Sequence, residues 1–311
     1  MILAKGVKVK LLIFVLILFS LSSCAGIEEF DFRRSPDRKI KCLSVFDDLV
    51  AQERGWRLSD KRDSIALTEF DQSIQVTQSE YGRPSVANRI EKLSHSSFKD
   101  IKTMLQDNPI PYVMGPDGKR YIIDRHHFSL SFYEYRDEIE RRFPKKAHKL
   151  KVEFQRVDLI GYPNSQELSF SQFERVMKRL KLVYLKGTEE RGFGSLPRHL
   201  SGLREDHYRG LAWVMRKSKI FDKSDIPFAE FYWGEYYKKK LGKAHLPATS
   251  HPSFTEEHLR AALKVSLDSE ASSLPGFKGD SNMSTAQIKA RIEKAYQKLE
   301  EKGLINLLNR L

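Results

Sequence analysis

The stretch IPYVMGPDGKRYIID, residues 110–124, constrains the fold more than any other part of this chain. Gly115, Pro116, Asp117 and Gly118 are turn residues, and the runs on either side are β-prone, so the segment reads as a hairpin. Phe128, Leu130, Phe132 and Tyr133 then fall in a segment that reads as a helix starting near Arg125. A strand ending at Asp124 and running into that helix leaves the first backbone N–H groups of the helix without partners. Those groups and the helix dipole favour an anion, phosphate above all.

The flanking sequence sets the fold class. SIALTEF (64–70) and QSIQVTQ (72–78) are β-prone, Pro84 suits a first helical turn, and Val86, Ile90 and Leu93 follow at helical spacing. Phe98, Ile101 and Leu105 make a second stripe. KVEFQRVDLIGY alternates like a strand, SFSQFERVMKRL reads as a helix and LVYLKG as another strand. Beyond this the chain is mainly helical, over 207–217, over 227–240, and in a last helix for which Ser284 and Gln287 form a capping box. Residues 267–284 read as a surface loop before that helix. The expectation is an α+β chain with short strands early and helices late.

The N-terminus suggests an address. Lys5, Lys8 and Lys10 precede an apolar run from Leu11 to Leu21, which is shorter than the ~20 residues a spanning helix needs. The run ends in LSSC, which looks like a lipobox, so Cys24 is the expected acylated first residue of the mature chain. Ala25 after it implies sorting to the outer membrane, facing the periplasm of a bacterial envelope. Acyl chains tether a domain without spanning the bilayer. The expected divisions are a signal peptide over 1–23, a lipidated tether and lead-in over 24–62, the main domain over 63–265, and a loop with the C-terminal helix over 266–311.

Charge and cysteine content narrow the partners. Loss of residues 1–23 removes three lysines and no acid, leaving +10 of the chain's +13. Such a balance attracts anionic partners, nucleic acid or other phosphate-bearing ligands among them, although the charges are dispersed. With Cys24 acylated, Cys42 is the only other cysteine, so no intrachain disulfide supports the fold.

Asp124, Arg125, His126 and His127 are the candidate site residues. Arg125 offers a planar fork of donors, and a histidine can give, take or bind at a phosphate. Neighbouring helical residues point about 100° apart, so one imidazole is expected to face the cleft and the other to pack or orient it. The plain alternative is that Asp124 only caps the helix and the histidines are satisfied polar residues. A divalent ion on Asp124 and one histidine is a further option, but no second carboxylate–histidine cluster supports it.

PIPYVMGPDGKRYIIDRHH resembles the signature of the ParB-like nuclease family, within the ParB/sulfiredoxin superfamily. TQSEYG (Thr77 to Gly82) is similar to its Thr-Gln…Gly segment. LPRHLSGLREDHYRGLAWVMRK and IPFAEFYWGEYYKKKL are similar to its Leu-Pro, Asp-x-Tyr-Arg-x-Leu-Ala and Pro-Phe-x-Glu-Phe-x-Trp blocks. The likeness spans roughly residues 70–265. It implies a small mixed sheet with packed helices, a mainly helical C-terminal half, and a phosphate-binding loop where strand meets helix. Arg125 stands where related loops carry glycine, and Phe128 where they carry a final arginine; the second departure argues against binding of a nucleoside triphosphate. Tyr208 and Arg209, carried over from the second block, are candidates for the missing cation; the alternative has Tyr208 packed and Arg209 solvent-facing or paired with Glu205. Glu230 is a candidate raised-pKa acid or a hydrogen-bonded family marker, and Gln78 and Glu80 are candidates to border the cleft. Two functions follow. One is phosphodiester or phosphoester hydrolysis with His126 or His127 as general acid/base, Asp124 orienting a ring or binding a divalent ion, and Arg125 and Arg209 on the phosphate. The other is a tethered module that binds an anionic ligand or a protein without chemistry.

Overall fold

In the computed structural model, residues 55–185, 192–242, 254–280 and 282–311 are described. The signal segment, Cys24, Cys42 and the tether lie outside them. The described chain belongs to one unit that begins at Arg54.

Five strands form a mixed sheet in the order β1–β6–β4–β5–β2. The hairpin is β4 (Ile110–Met114) with β5 (Arg120–Ile122), paired antiparallel. Its turn closes through the Gly115 N–H on Lys119 O at 2.8 Å, with Gly118 at φ 75°, a left-handed conformation that glycine adopts without strain. β2 (Ile74–Val76) runs parallel to β5, and β6 (Lys151–Ile160) parallel to β4. β1 (Gly55–Ala66) closes the other edge, antiparallel to β6. Successive residues point to opposite faces. Tyr112, Ile122 and Phe154 pack on one face with α1 (Arg83–Ser94), α2 (Phe98–Gln106) and α3 (His126–Arg142). Val113, Tyr121 and Val157 pack on the other with Phe173 and Met177 of α4 (Phe170–Arg179).

A second, two-stranded parallel pair joins β3 (Glu80–Tyr81) to β7 (Arg204–Glu205). From β7 the chain enters α5 (His207–Ser218), then α6 (Ala229–Leu241), α7 (Glu256–Val265), α8 (Thr285–Glu301) and α9 (Leu304–Leu308). These helices share one core around Trp233 and Tyr237, with Phe221 stacked on Trp233 at 4.1 Å. Ser284 and Gln287 make the expected capping box. The mixed sheet with packed helices and a helical C-terminal half is the expected α+β class.

Three details depart from the sequence reading. β1 starts at Gly55, inside the span read as lead-in to residue 62, because this edge strand is mostly exposed and carries little apolar alternation. LVYLKG is not a strand over its described residues, 182–185; Leu182 and Val183 are buried in irregular backbone, and the Tyr184 N–H donates to Thr77 O at 2.8 Å. The 267–284 segment is also more than a surface loop. Leu267 and Ala271 are buried, and Pro275 O accepts the Trp233 indole N–H at 2.8 Å. The C-terminal helix packs in the same core as α5 and α6. No helix among the described residues is long and apolar enough to cross a membrane.

Candidate functional site

The parallel pairing of β2 with β5 brings Val76 beside Ile122, so the chain leaves both strands at the same end of the sheet. Thr77 locks this end: its hydroxyl donates to Ile122 O at 2.8 Å. The chain then passes through β3 to Gly82, and the β5 branch turns through Asp124 and Arg125 into α3.

His126 and His127 tie the two branches together. His126 Nε2 accepts the Thr77 N–H at 3.2 Å, and His127 Nε2 accepts the Gly82 N–H at 3.0 Å. Each imidazole therefore receives an amide from the TQSEYG segment. A ring nitrogen that accepts is unprotonated, so the neutral forms carry their proton on Nδ1. Burial pushes His126 down to about 3, helped by the Arg209 charge, while a hydrogen bond to the Ile122 backbone opposes the shift. Burial likewise holds His127 well below the usual range, reinforced first by Arg209 and then by His126, Arg89 and Arg216. His126 is 4% exposed, and His127 as a residue is somewhat more exposed.

Position 125 has φ 63° and ψ 25°, a left-handed conformation that favours glycine. Arg125 adopts it and is the residue that caps α3, with its carbonyl accepting the Ser129 N–H at 2.8 Å. Its Nη1 donates to Asn108 Oδ1 at 2.7 Å. Asp124 is exposed, and its Oδ1 accepts the Arg125 N–H at 2.6 Å. It neither caps the helix nor bonds to an imidazole, because the left-handed turn at 125 directs its carboxylate to its own neighbour. Phe128 is buried, with the Arg89 guanidinium 5.0 Å and the Arg125 guanidinium 6.0 Å from its ring centre.

Arg209 is buried in the first turn of α5, where Asp206 Oδ1 caps its N–H at 3.0 Å. It pairs with Glu230 of α6, which also binds Arg216, and it does not pair with Glu205. Glu205 faces His207 at 3.3 Å instead. Burial alone would raise Glu230, but Arg209 and Arg216 outweigh it and hold the carboxyl below its usual value. Glu230 is therefore an ionised counter-charge and not a raised-pKa acid. Tyr208 points elsewhere: its hydroxyl donates to Gly242 O at 2.6 Å, and its ring packs against the C-terminal helices. One residue back from Arg209 on a helix, it faces about 100° away from it. Gln78 is buried and donates to Glu80 O at 2.7 Å; Glu80 faces Arg204 at 3.9 Å.

The sequence reading missed Arg89 and Arg216. Both had a signal. Arg89 interrupts the apolar stripe Val86, Ile90 and Leu93 of α1, and Arg216 lies seven residues after Arg209, hence on the same face of α5. The Nε of Arg209 and the Nε of Arg89 are buried N–H donors with no acceptor. Gly82 ends the TQSEYG motif. An added Cβ there would stand 2.6 Å from Gly210 Cα, so the glycines let α1 and α5 start against each other. The same segment gives Ser79 to a cavity of about 490 Å3 lined also by Arg198, His199 and Arg204.

The donor set does not suit a divalent ion. Both histidine Nε2 lone pairs accept amides, Glu230 is neutralised by two arginines, and no group of three His, Cys, Asp or Glu side chains is assembled among the described residues. Arg209 and Arg216 share the Glu230 carboxylate, and the charges of Arg209, Arg89 and Arg216 all bear on the neutral His127 ring.

The family described as "Putative ParB-like nuclease" matches residues 71–239. The crystal structure of protein Atu1540 from Agrobacterium tumefaciens has a similar fold, with a TM-score of 0.53 and 22% sequence identity, over 71% of this chain and 99% of that one. No curated protein matches the sequence.

Proposed function

The chain belongs to the ParB-like nuclease family, and we propose that it is a nuclease-type phosphodiester hydrolase with its phosphate site at the 124–127 strand–helix junction. One observation carries this reading. The Nε groups of Arg209 and Arg89 are buried without acceptors, and both charges lie close enough to His127 to depress it. A buried, unsatisfied donor costs about 1–3 kcal/mol, which a phosphate oxygen would recover.

Each residue then has a role that follows from its bonds. Arg209 and Arg89 hold non-bridging oxygens. Glu230 fixes the Arg209 fork and keeps the site from carrying three uncompensated charges. His127 stays neutral and offers its Nδ1–H as a donor, since its Nε2 is held by Gly82. His126 is a positioning residue that keeps Thr77, and with it the β2–β5 end, in place. Donors set in advance where charge develops lower the barrier as the water oxygen bonds to phosphorus, the P–O ester bond breaks and the leaving oxygen takes up the proton that the water gives up.

A specific observation favours a second reading, a binding module without chemistry. Neither imidazole has a free lone pair at Nε2 to take a proton from water. Labelled single-stranded DNA, RNA and bis(p-nitrophenyl) phosphate separate the two. Cleavage that disappears in Arg209→Gln supports the hydrolase. Thermal stabilisation by the same ligands without product supports the module, and neither cleavage nor stabilisation would reject the phosphate site.

The address belongs to the same proposal. Three lysines, the apolar run and LSSC support a bacterial envelope protein held by acylated Cys24, at the outer membrane and facing the periplasm. Incorporation of labelled palmitate that survives Cys24→Ala would remove it.

A further inference from the structure

A second cavity, about 420 Å3, lies against one face of α8 and is lined by Lys219, Lys278, Arg291, Lys294 and Lys298, among others. No acidic residue lines it. Arg291, Lys294 and Lys298 follow at intervals of three and four, which places them on one helix face, and Lys302 continues the row beyond the end of α8. At 1.5 Å per residue the four positions span about 16 Å.

These charges lack the counter-ions that other basic residues of the chain possess. Lys278 pairs with Asp222 at 3.2 Å, whereas Lys219, Arg291, Lys294 and Lys298 form no ion pair with a carboxylate among the described residues. Glu293 of α8 turns away to Arg260, 2.7 Å distant on α7. Lys302 is held below its ordinary value by burial and then by Lys219 and Lys298, so the cations repel one another. A row of mutually repelling cations along a concave face is relieved by a polyanion.

We propose that this face of α8, with Lys219 and Lys278, is a second nucleic-acid-binding surface that grips the phosphate backbone of the substrate away from the 124–127 junction. This rests on the nuclease reading and adds to it that the substrate is a polymer several phosphates long. The spacing fits: a strand stacked as in B-form DNA presents a phosphate about every 3.4 Å along the axis, so the row reaches about five of them, and fewer on a more extended strand. A membrane surface fits less well. Interfacial helices set Trp, Phe or Leu beside their lysines, and none of the exposed large apolar residues, Trp56, Leu58, Ile160, Phe170, Ile226 and Tyr232, lies on α8.

The test is fluorescence anisotropy of the full chain in detergent with a labelled single-stranded 20-mer, from low to high salt. The R291Q/K294Q/K298Q variant should bind about tenfold or more weaker at low salt, and the slope of log K against log salt should fall by about two. A charge-matched control at exposed positions elsewhere, K145Q/K149Q/K151Q, should leave the slope unchanged. An equal loss in both variants means diffuse surface charge and overturns the proposal. So does a variant that loses binding to phosphatidylglycerol vesicles while retaining the 20-mer. The measurement reads binding, so it stands even if no cleavage occurs. Conversely, Arg209→Gln should abolish cleavage while leaving most of the salt-dependent affinity, which separates failure at the junction from failure at α8.

Discussion

His127 Nε2 accepts the backbone N–H of Gly82 at 3.0 Å, across 45 residues of sequence. This bond and its counterpart from Thr77 to His126 turn two adjacent histidines into staples between the start of α3 and the segment that leads into α1. Both bonds need neutral rings. His126 is folded with a value near 3 and unfolds toward the ordinary 6.5. Between those values the unfolded chain binds a proton that the folded chain refuses. Stability is therefore full above about pH 6.5 and falls as pH drops through the window, by about 1.4 kcal/mol per unit for His126 alone. His127 acts in the same direction. Urea unfolding midpoints measured from pH 7.5 to 4.5 should fall steadily, and His126→Asn should flatten the curve. A midpoint independent of pH would contradict the neutral-staple geometry.

The same bonds bear on catalysis. Because both histidines remain neutral far below pH 7, any hydrolytic activity should show no inflection near pH 6–7 from either ring. A rate that rises or falls tenfold per unit around pH 6.5, and loses that dependence in His127→Ala, would restore a general acid/base role.

Glu230 is the charge on which the two arginines depend. Glu230→Gln leaves Arg209 and Arg216 facing one another in a buried place, and loss of one partner from such a network costs about 3–5 kcal/mol. Arg216→Gln leaves the Arg209–Glu230 pair intact and should cost distinctly less. The two variants compared by chemical denaturation should keep that order; equal losses would show that the network does not act through Glu230.

What the sequence made legible and what it hid divide along physical lines. The hairpin was readable because Gly115–Pro116–Asp117–Gly118 is local turn chemistry, and α1, α2, α4 and α8 were readable because their apolar spacing or capping boxes are local as well. The short β3–β7 pair was not, since two-residue strands carry no period and Glu80 meets Arg204 only through tertiary packing. The histidines were found, yet their partners were not. Thr77 and Gly82 contribute backbone N–H groups, which leave no trace in side-chain identity. Arg209 and Glu230 were singled out separately; that they neutralise each other depends on how α5 meets α6.

Gly82 and Gly210 explain how α1 and α5 can begin side by side. An added Cβ at Gly82 would lie 2.6 Å from Gly210 Cα and 2.8 Å from its N, both backbone atoms that cannot swing aside. Gly82→Ala should therefore destabilise by about 1–3 kcal/mol through overpacking, and should also displace the amide that His127 accepts. Loss of stability with unchanged ligand binding would separate the packing role from the site.

Arg125 tests the backbone of the loop itself. At φ 63° and ψ 25° it occupies a region that disfavours any side chain with a Cβ by roughly 1–2 kcal/mol. Arg125→Ala removes the Asn108 hydrogen bond and the contact with Phe128 but keeps the strain. Arg125→Gly removes the same contacts and relieves the strain. The glycine variant should therefore be more stable than the alanine variant by about 1 kcal/mol in thermal or urea unfolding, even though both lose the guanidinium. The arginine is then held at this position against backbone preference, and its Nη1 contact with Asn108, 2.7 Å long, is the interaction that offsets the strain. Alanine and glycine variants of equal stability would mean that position 125 leaves the left-handed region once the side chain is gone, and that the arginine itself sets the turn into α3.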